Sequence, residues 1–180
     1  MTHQIVIAGF GGQGIMTMGQ LLAYAGMLEG KEVSWLPSYG PEMRGGTANC
    51  HVIITDEGAV GSPIVTDATA VIVMTRPSLA KFEPLTVPKG HLLINSSLIS
   101  DKSKREDIEV LYVSANEIAD EMGDTRVANM VMLGAYLAKT GAVAAKSIEG
   151  ALKKAFGEKK ADLIPLNMEA LKRGADCVSA

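Results

Sequence analysis

Short apolar segments alternate with longer amphipathic ones along the chain. Four of the short segments are continuous apolar runs: QIVIA, TAVIVM, HLLIN and EVLYV. Such runs are typical of strands that are buried on both faces of a parallel sheet. KEVSWL predicts a further strand, and ANCHVIIT, which ends at the turn signal DEG, predicts a hairpin or an antiparallel edge.

Apolar positions at helical spacing fill the gaps between these strands. Residues 127–139 are apolar nearly all round, which predicts a helix buried on more than one side, against the sheet or another subunit. Two shorter helices are predicted around residues 148–156 and 166–173, and Gly174 is interpreted as the stop of the second.

Strand–helix alternation continues through the whole chain. Ser114 and Glu117 in SANE form the pattern of a capping box, which starts a helix directly after EVLYV. No repeat or low-complexity linker interrupts the alternation. The predicted fold is therefore α/β over residues 1–180 as one domain: Rossmann-like and doubly wound, with a mostly parallel sheet and an antiparallel edge or hairpin.

Composition narrows the class of protein. The 180 residues are 47% hydrophobic and 21% charged, as in a globular domain, and a net charge of -3 argues against nucleic acid as a partner. No apolar run approaches the roughly 18 residues of a membrane helix, and no signal peptide precedes the first strand, so no membrane partner and a cytoplasmic location are expected. Cys50 and Cys177 form no C-x-x-C pair, and no metal site is expected.

A glycine cluster, GFGGQG, follows the first strand. Gly9, Gly11 and Gly14 have the G-x-G-x-x-G spacing of dinucleotide-binding loops. With Gly12 and Gln13 they are the candidate cofactor-binding residues, because such a loop brings backbone N–H groups and a helix N-terminus close to an anion. Phosphate binding and simple close packing of loop on helix both remain open.

The NAD interpretation requires a carboxylate at the end of the second strand to bind the ribose. KEVSWL instead ends in Leu36, Pro37 and Ser38, and Glu32 lies at its start. An independent NAD- or nucleotide-binding enzyme or sensor remains the alternative hypothesis.

The segment PSYGPEMRGGTANC follows the second strand, where ligands bind in open α/β sheets. We expect it beside the glycine loop, although an ordered turn with Arg44 paired to Glu42 would give the same pattern. Its candidate residues for a subunit interface or a ligand contact are Ser38, Tyr39, Gly40, Pro41, Glu42, Arg44, Gly45 and Gly46.

Taken together, GFGGQGI and SYGPEMRGGTANC resemble the gamma subunit of 2-oxoacid:ferredoxin (or acceptor) oxidoreductases. The resemblance covers essentially the whole chain, including IPLNMEALKRG near its end. PEMRGGTANC is most similar to the 2-oxoglutarate branch of that family.

This resemblance implies a place in a multi-subunit complex that converts a 2-oxoacid and coenzyme A (CoA) to acyl-CoA and CO2. Alpha and beta subunits would bind thiamine diphosphate with magnesium. Iron–sulfur clusters on beta or on a ferredoxin-like delta subunit would pass the electrons to ferredoxin. The corresponding domain of single-chain pyruvate members is implicated in covering CoA, which implies contacts from both loops.

The residues agree with a subsidiary role for this chain. No Ser–His–Asp arrangement is defensible around His3, His51 and His91, and Gly123-Asp124 lacks the asparagine of a thiamine diphosphate motif. We therefore predict no catalytic residue here, and no activity for the isolated chain.

Overall fold

The apolar segments form the strands of one mixed sheet. The computed structural model describes residues 1–39 and 47–179. The strands are β1 (Thr2–Phe10), β2 (Glu32–Tyr39), β3 (Thr47–Thr55), β4 (Ala68–Val73), β5 (Thr86–Asn95) and β6 (Glu109–Val113). The helices are α1 (Ile15–Leu28), α2 (Arg76–Phe82), α3 (Ala115–Glu121), α4 (Ala128–Thr140), α5 (Ala145–Phe156) and α6 (Ile164–Ser179).

The sheet has the order β2-β3-β1-β4-β5-β6. Strands β1, β4, β5 and β6 run parallel, whereas β3 is antiparallel to both β1 and β2. The predicted antiparallel element is thus confirmed, and the edge position belongs to β2. Pro37 is tolerated there because a proline within a sheet is confined to edge strands, where one side needs no ladder donor.

Helices flank both faces of the sheet, which confirms the predicted α/β class. One face carries the larger core, built from α1, α3, α4, α5 and α6. The other face is covered by the short α2 together with irregular segments that contribute Val65 and Ile99. The central strands are buried from both sides, as their continuous apolar runs predict.

The long buried helix α4 contacts α6 through two glycines. A Cβ atom on Gly134 would overlap the backbone carbonyl of Leu171, with its carbonyl carbon 2.7 Å away. A Cβ atom on Gly174 would meet the carbonyl carbon of Val131 at the same distance. The prediction that Gly174 ends the last helix is wrong, because α6 continues to Ser179. Gly174 is there because only a residue without a Cβ lets the two backbones approach so closely.

Helix α3 is capped from outside its own sequence. Ser114 is the N-cap residue but makes no side-chain cap hydrogen bond. Instead, Oγ of Ser97 accepts hydrogen bonds from the backbone N–H groups of Asn116 at 3.1 Å and Glu117 at 3.3 Å. The predicted capping box is therefore wrong, because the N–H group that Ser114 would bind already donates to Ser97, which lies in the segment after β5.

Replacing Ser97 with alanine should lower the free energy of unfolding by about 1 kcal/mol, because two N–H groups at the start of α3 lose their acceptor. Ser114→Ala is the matched control and should change it by less than about 0.5 kcal/mol. Urea denaturation of both variants measures the difference. Equal losses in the two variants would contradict this assignment of the cap.

Candidate functional site

The glycine loop joins β1 to α1 at the carboxyl edge of the parallel strands. Gly14 is the N-cap of α1 in the left-handed conformation, with φ 76°. It also lies against Asn129 of α4, whose Cγ would be 2.7 Å from a Cβ on Gly14. Gly9, in the strand, has the side chains of Gln13, Ile15 and Met74 where its Cβ would be. These two glycines are thus explained by close packing.

Gly12 differs from its neighbours. Its φ is 94°, and apart from its chain neighbours no described residue has an atom within 4 Å of the position that a Cβ would take. It is exposed at the tip of the loop. Packing against the described residues therefore does not explain the glycine at position 12, in contrast to Gly9 and Gly14.

Gln13 holds the loop in shape. Its Oε1 accepts a hydrogen bond from the N–H of Phe10 at 2.7 Å, and its Nε2 lies 3.5 Å from the carbonyl oxygen of Met74. The backbone N–H of Gln13 also donates to the carbonyl of Phe10 at 3.2 Å. The side chain predicted to contact a cofactor is thus bonded within the loop and acts as a clamp between β1 and the end of β4.

Two pockets flank Gly12. The first, here called the loop pocket, has a volume of about 280 Å3. The second, here called the amide pocket, has a volume of about 200 Å3. The loop pocket is lined by Phe10, Gly11, Gly12, Gly14, Thr17 and Ala48. The amide pocket is lined by Gly12, Gln13, Asn116, Thr125, Arg126 and Asn129.

Carboxamides form the wall of the amide pocket. Asn129 is 7% exposed, and its Nδ2 lies 3.5 Å from the carbonyl oxygen of Gly14. Asn116 accepts a hydrogen bond of 2.8 Å from Nδ2 of Asn95, which is fully buried behind it. Oδ1 of Asn95 has no hydrogen-bond partner among the described residues. Amide groups that donate and accept suit the amides of an extended ligand or the edge of a base.

Arg126 supplies the positive charge at this pocket. Its Nε and Nη2 donate to the Asp124 carboxylate at 2.9 and 2.6 Å. These hydrogen bonds lower the pKa of Asp124 to about 2, so both groups are charged at neutral pH. The Arg126 side chain is 79% exposed, whereas that of Asp124 is only 18% exposed. A guanidinium has five N–H donors, so those that Asp124 does not use are available to a phosphate.

The second predicted loop leaves the sheet next to the glycine loop. In the register of the strands, Tyr39 pairs with Ala48, and Ala48 pairs with Gly9. Ser38 and Tyr39 belong to β2 rather than to a loop, and Ser38 is exposed at this edge. These two residues thus lie at the same edge of the sheet as Gly9 with β3 between them, and the proximity of the loop itself stays a prediction. The candidates Gly40, Pro41, Glu42, Arg44, Gly45 and Gly46 lie outside the described residues.

Asn116, Arg126 and Asn129 are site residues that the sequence analysis missed. Asn129 is a polar residue at the start of an otherwise apolar helix, a signal that could have been used. Arg126 and Asn116 carry no comparable signal, because their place beside the loop depends on how α3 and α4 pack.

The described residues give little support to a metal site, a catalytic histidine or a reactive cysteine. No group of three or more His, Cys, Asp and Glu side chains is placed there to hold a metal ion. Nδ1 of His51 accepts a hydrogen bond from the N–H of Val65 at 2.9 Å, which is a structural role. Burial raises the pKa of the Cys50 thiol to about 12.

None of the described helices is long and apolar enough to cross a membrane. The fold defines a Rossmann-like α/β domain whose glycine loop is exposed at Gly12.

Comparison with known proteins gives the family. The model of the pyruvate ferredoxin/flavodoxin oxidoreductase family matches residues 4–177. The ketoisovalerate oxidoreductase subunit VorA of Methanothermobacter marburgensis is 41% identical over 175 residues, which are 96% of this chain and 36% of that relative. This chain thus spans about a third of that relative's length.

Two further relatives match along nearly their full length. The 2-oxoglutarate synthase subunit KorC of M. marburgensis is 34% identical over 160 residues, covering 85% of this chain and 86% of KorC. The crystal structure of the keto/oxoacid ferredoxin oxidoreductase gamma subunit from Geobacter sulfurreducens has a TM-score of 0.81, with 29% identity and 98% of both chains covered. The chain therefore belongs to the pyruvate ferredoxin/flavodoxin oxidoreductase family, and the resemblance seen in its two loops is confirmed.

Proposed function

We propose that this chain is the gamma subunit of a multi-subunit 2-oxoacid:ferredoxin oxidoreductase. The complex would convert a 2-oxoacid, CoA and oxidised ferredoxin to acyl-CoA, CO2 and reduced ferredoxin. The observation that carries the proposal is the glycine loop, open at Gly12 between two pockets. The matches to separate subunits of similar length support the subunit role. The NAD-dependent alternative has no support from these relatives.

In this proposal, the site binds CoA and leaves the decarboxylation to partner subunits. The N–H groups of Gly11 and Gly12 would donate to phosphate oxygens, and Arg126 would pair with a phosphate. Asn116 and Asn129 would hydrogen-bond the amides of the pantetheine arm. Arg44 and its neighbours would contact the same ligand, as the resemblance implies.

The described residues do not fit a thiamine diphosphate site. The only Gly-Asp step of the sequence is Gly123-Asp124, and Asp124 is bonded to Arg126 rather than free to bind magnesium. In this proposal, thiamine diphosphate would supply the chemistry of decarboxylation, and iron–sulfur clusters would supply the electron transfer. Both groups are therefore proposed for the alpha and beta subunits, or a delta subunit.

Two 2-oxoacids are candidates for the substrate. The PEMRGGTANC motif favours 2-oxoglutarate, whereas the match to VorA, at 41% identity, favours ketoisovalerate. We keep the broader class, a 2-oxoacid, as the proposed substrate.

Anaerobic purification of the tagged chain from its native cells tests the subunit role. We expect proteins with thiamine diphosphate and iron–sulfur clusters to co-purify, and the complex to reduce a viologen dye with CoA and one 2-oxoacid. Rates with 2-oxoglutarate, ketoisovalerate and pyruvate would identify the substrate. Repeated isolation of the chain alone, combined with micromolar NAD binding, would overturn the proposal.

A further inference from the structure

Asn95 is a fully buried amide side chain at the last position of β5. Its Nδ2 donates to Oδ1 of Asn116 at 2.8 Å and lies 3.8 Å from Sδ of Met74. A thioether sulfur only accepts hydrogen bonds, so the NH2 group of Asn95 belongs on the side that faces the sulfur. Asn116 is therefore turned with its oxygen toward Asn95.

The other end of the Asn95 amide is unpaired. Its Oδ1 is buried and has no hydrogen-bond partner among the described residues. Burial of an unpaired amide oxygen is unfavourable, and leucine, which has the same branched shape, would avoid it. Stability therefore favours an apolar side chain at position 95, so the amide is explained by what its hydrogen bond does to Asn116.

Backbone hydrogen bonds fix the position of Asn116. Its N–H donates to Oγ of Ser97 at 3.1 Å, and the N–H of Ser96 donates to the carbonyl of Val113 at 2.9 Å. Both bonds tie the start of α3 to the segment that follows Asn95. The Asn116 carboxamide is thus held at its backbone and at its oxygen. Its Nδ2 donates to no described residue, and Asn116 lines the amide pocket.

The other side chains of the amide pocket also leave donors available. Oδ1 of Asn129 accepts a backbone N–H of its own helix at 2.9 Å, and Oε1 of Gln13 accepts a backbone N–H at the end of β1 at 2.7 Å. Arg126 has only donors, and the carboxylate beside it, Asp124, is bonded to it. The amide oxygens around this pocket are therefore occupied, and the pocket offers N–H groups to a ligand.

We infer that Asn95 is a positioning residue, which holds the NH2 group of Asn116 toward the amide pocket so that it donates to a carbonyl oxygen of the ligand. The inference rests on the proposed function, which places the pantetheine arm of CoA here. It adds that the arm presents a carbonyl oxygen to Asn116 rather than an N–H group. A neutral carboxamide suits a neutral carbonyl, whereas Arg126 suits a phosphate.

Asn95→Leu tests the positioning role in the assembled complex. The variant frees the Asn116 amide to rotate, and Asn116 is half-buried, so its oxygen can bond to water instead. We expect the KM for CoA to rise about fivefold with kcat unchanged, and the thermal midpoint to move by less than about 4 °C.

Asn167→Leu is the matched control for that variant. Asn167 is also buried, and its Nδ2 also donates one hydrogen bond, at 2.8 Å to the carbonyl of Leu163. Its replacement should leave the KM for CoA unchanged. A KM that is equal in Asn95→Leu, Asn167→Leu and the parent would mean that Asn95 is purely structural, and it would overturn the inference.

Asn116→Asp tests the direction of the hydrogen bond. Aspartate keeps the bond from Asn95 through one oxygen and turns the other oxygen toward the pocket, where it faces the carbonyl of the ligand. We expect the KM to rise at least tenfold both for CoA and for pantetheine, which has the two amides but no phosphate to be repelled. A KM for pantetheine equal to that of the parent would overturn the inference. The parent complex would still use CoA in that case, so the proposed function would stand.

Discussion

Replacement of Gly134 by alanine should lower the free energy of unfolding by roughly 3 kcal/mol or more, a large part of the stability of an ordinary domain. The added methyl group would overlap the backbone carbonyl of Leu171. A backbone cannot rotate aside as a side chain can, so α4 and α6 would have to separate. Urea denaturation of the full chain measures the change.

Gly150→Ala is the control for that variant, since it also replaces a glycine within a helix. A Cβ on Gly150 would approach only Cδ1 of Leu28, at 2.9 Å, and Leu28 is 58% exposed and free to move. The gain in helix propensity should therefore raise stability by up to about 1 kcal/mol. Changes of the same sign and size in both variants would contradict the assigned contact between α4 and α6.

Gly12→Asn should raise the KM for CoA of the assembled complex about tenfold, with little change in kcat. A side chain at Gly12 enters the space between the loop pocket and the amide pocket, where the phosphates of CoA are proposed to bind. Loss of one charge-assisted hydrogen bond, about 1.5 to 3 kcal/mol, is enough for such a change. Asparagine is chosen because it tolerates positive φ better than other side chains.

Gly30→Asn separates strain from ligand contact. Gly30 also has a positive φ, 72°, and beyond its chain neighbours no described residue lies within 4 Å of its Cβ position, but it lies in the turn after α1. Both variants should lose similar stability, about 1 to 2 kcal/mol, from the left-handed conformation. Only Gly12→Asn should affect CoA. An unchanged KM in that variant would favour a purely structural role for the loop, in which the domain supports its partners without touching the ligand.

Strands were the most predictable part of this fold. All four continuous apolar runs form strands of the sheet: QIVIA, TAVIVM, HLLIN and EVLYV. A short run that is apolar on both faces is buried most readily in a sheet that is covered on both sides. The antiparallel pairing of ANCHVIIT was also predicted, but its partners are β1 and β2 rather than a strand across the DEG turn, and its position between them was not predicted. Strand order depends on long-range pairing, which no local pattern in the chain records.

The errors concern residues whose role depends on a distant partner. Gly174 has the sequence pattern of a helix stop, but its role is to let the backbone of α4 approach α6 closely. Ser114 matches a capping box, but the competing acceptor, Ser97, comes from another segment. Arg126 is a site residue only because α4 starts beside the glycine loop. The sequence predicts the glycine loop as the candidate site, whereas the side chains around that loop depend on how the helices pack.

The glycine loop is completed only when remote parts of the chain have come together. Asn129 reaches Gly14 across 115 positions of sequence, and Gln13 reaches Met74 across 61. A loop held by such non-local contacts is intact only when α4 is packed in place. Any ligand that binds it therefore stabilises the whole domain by RT ln(1 + [L]/Kd), so cellular ligand concentration and subunit lifetime are linked.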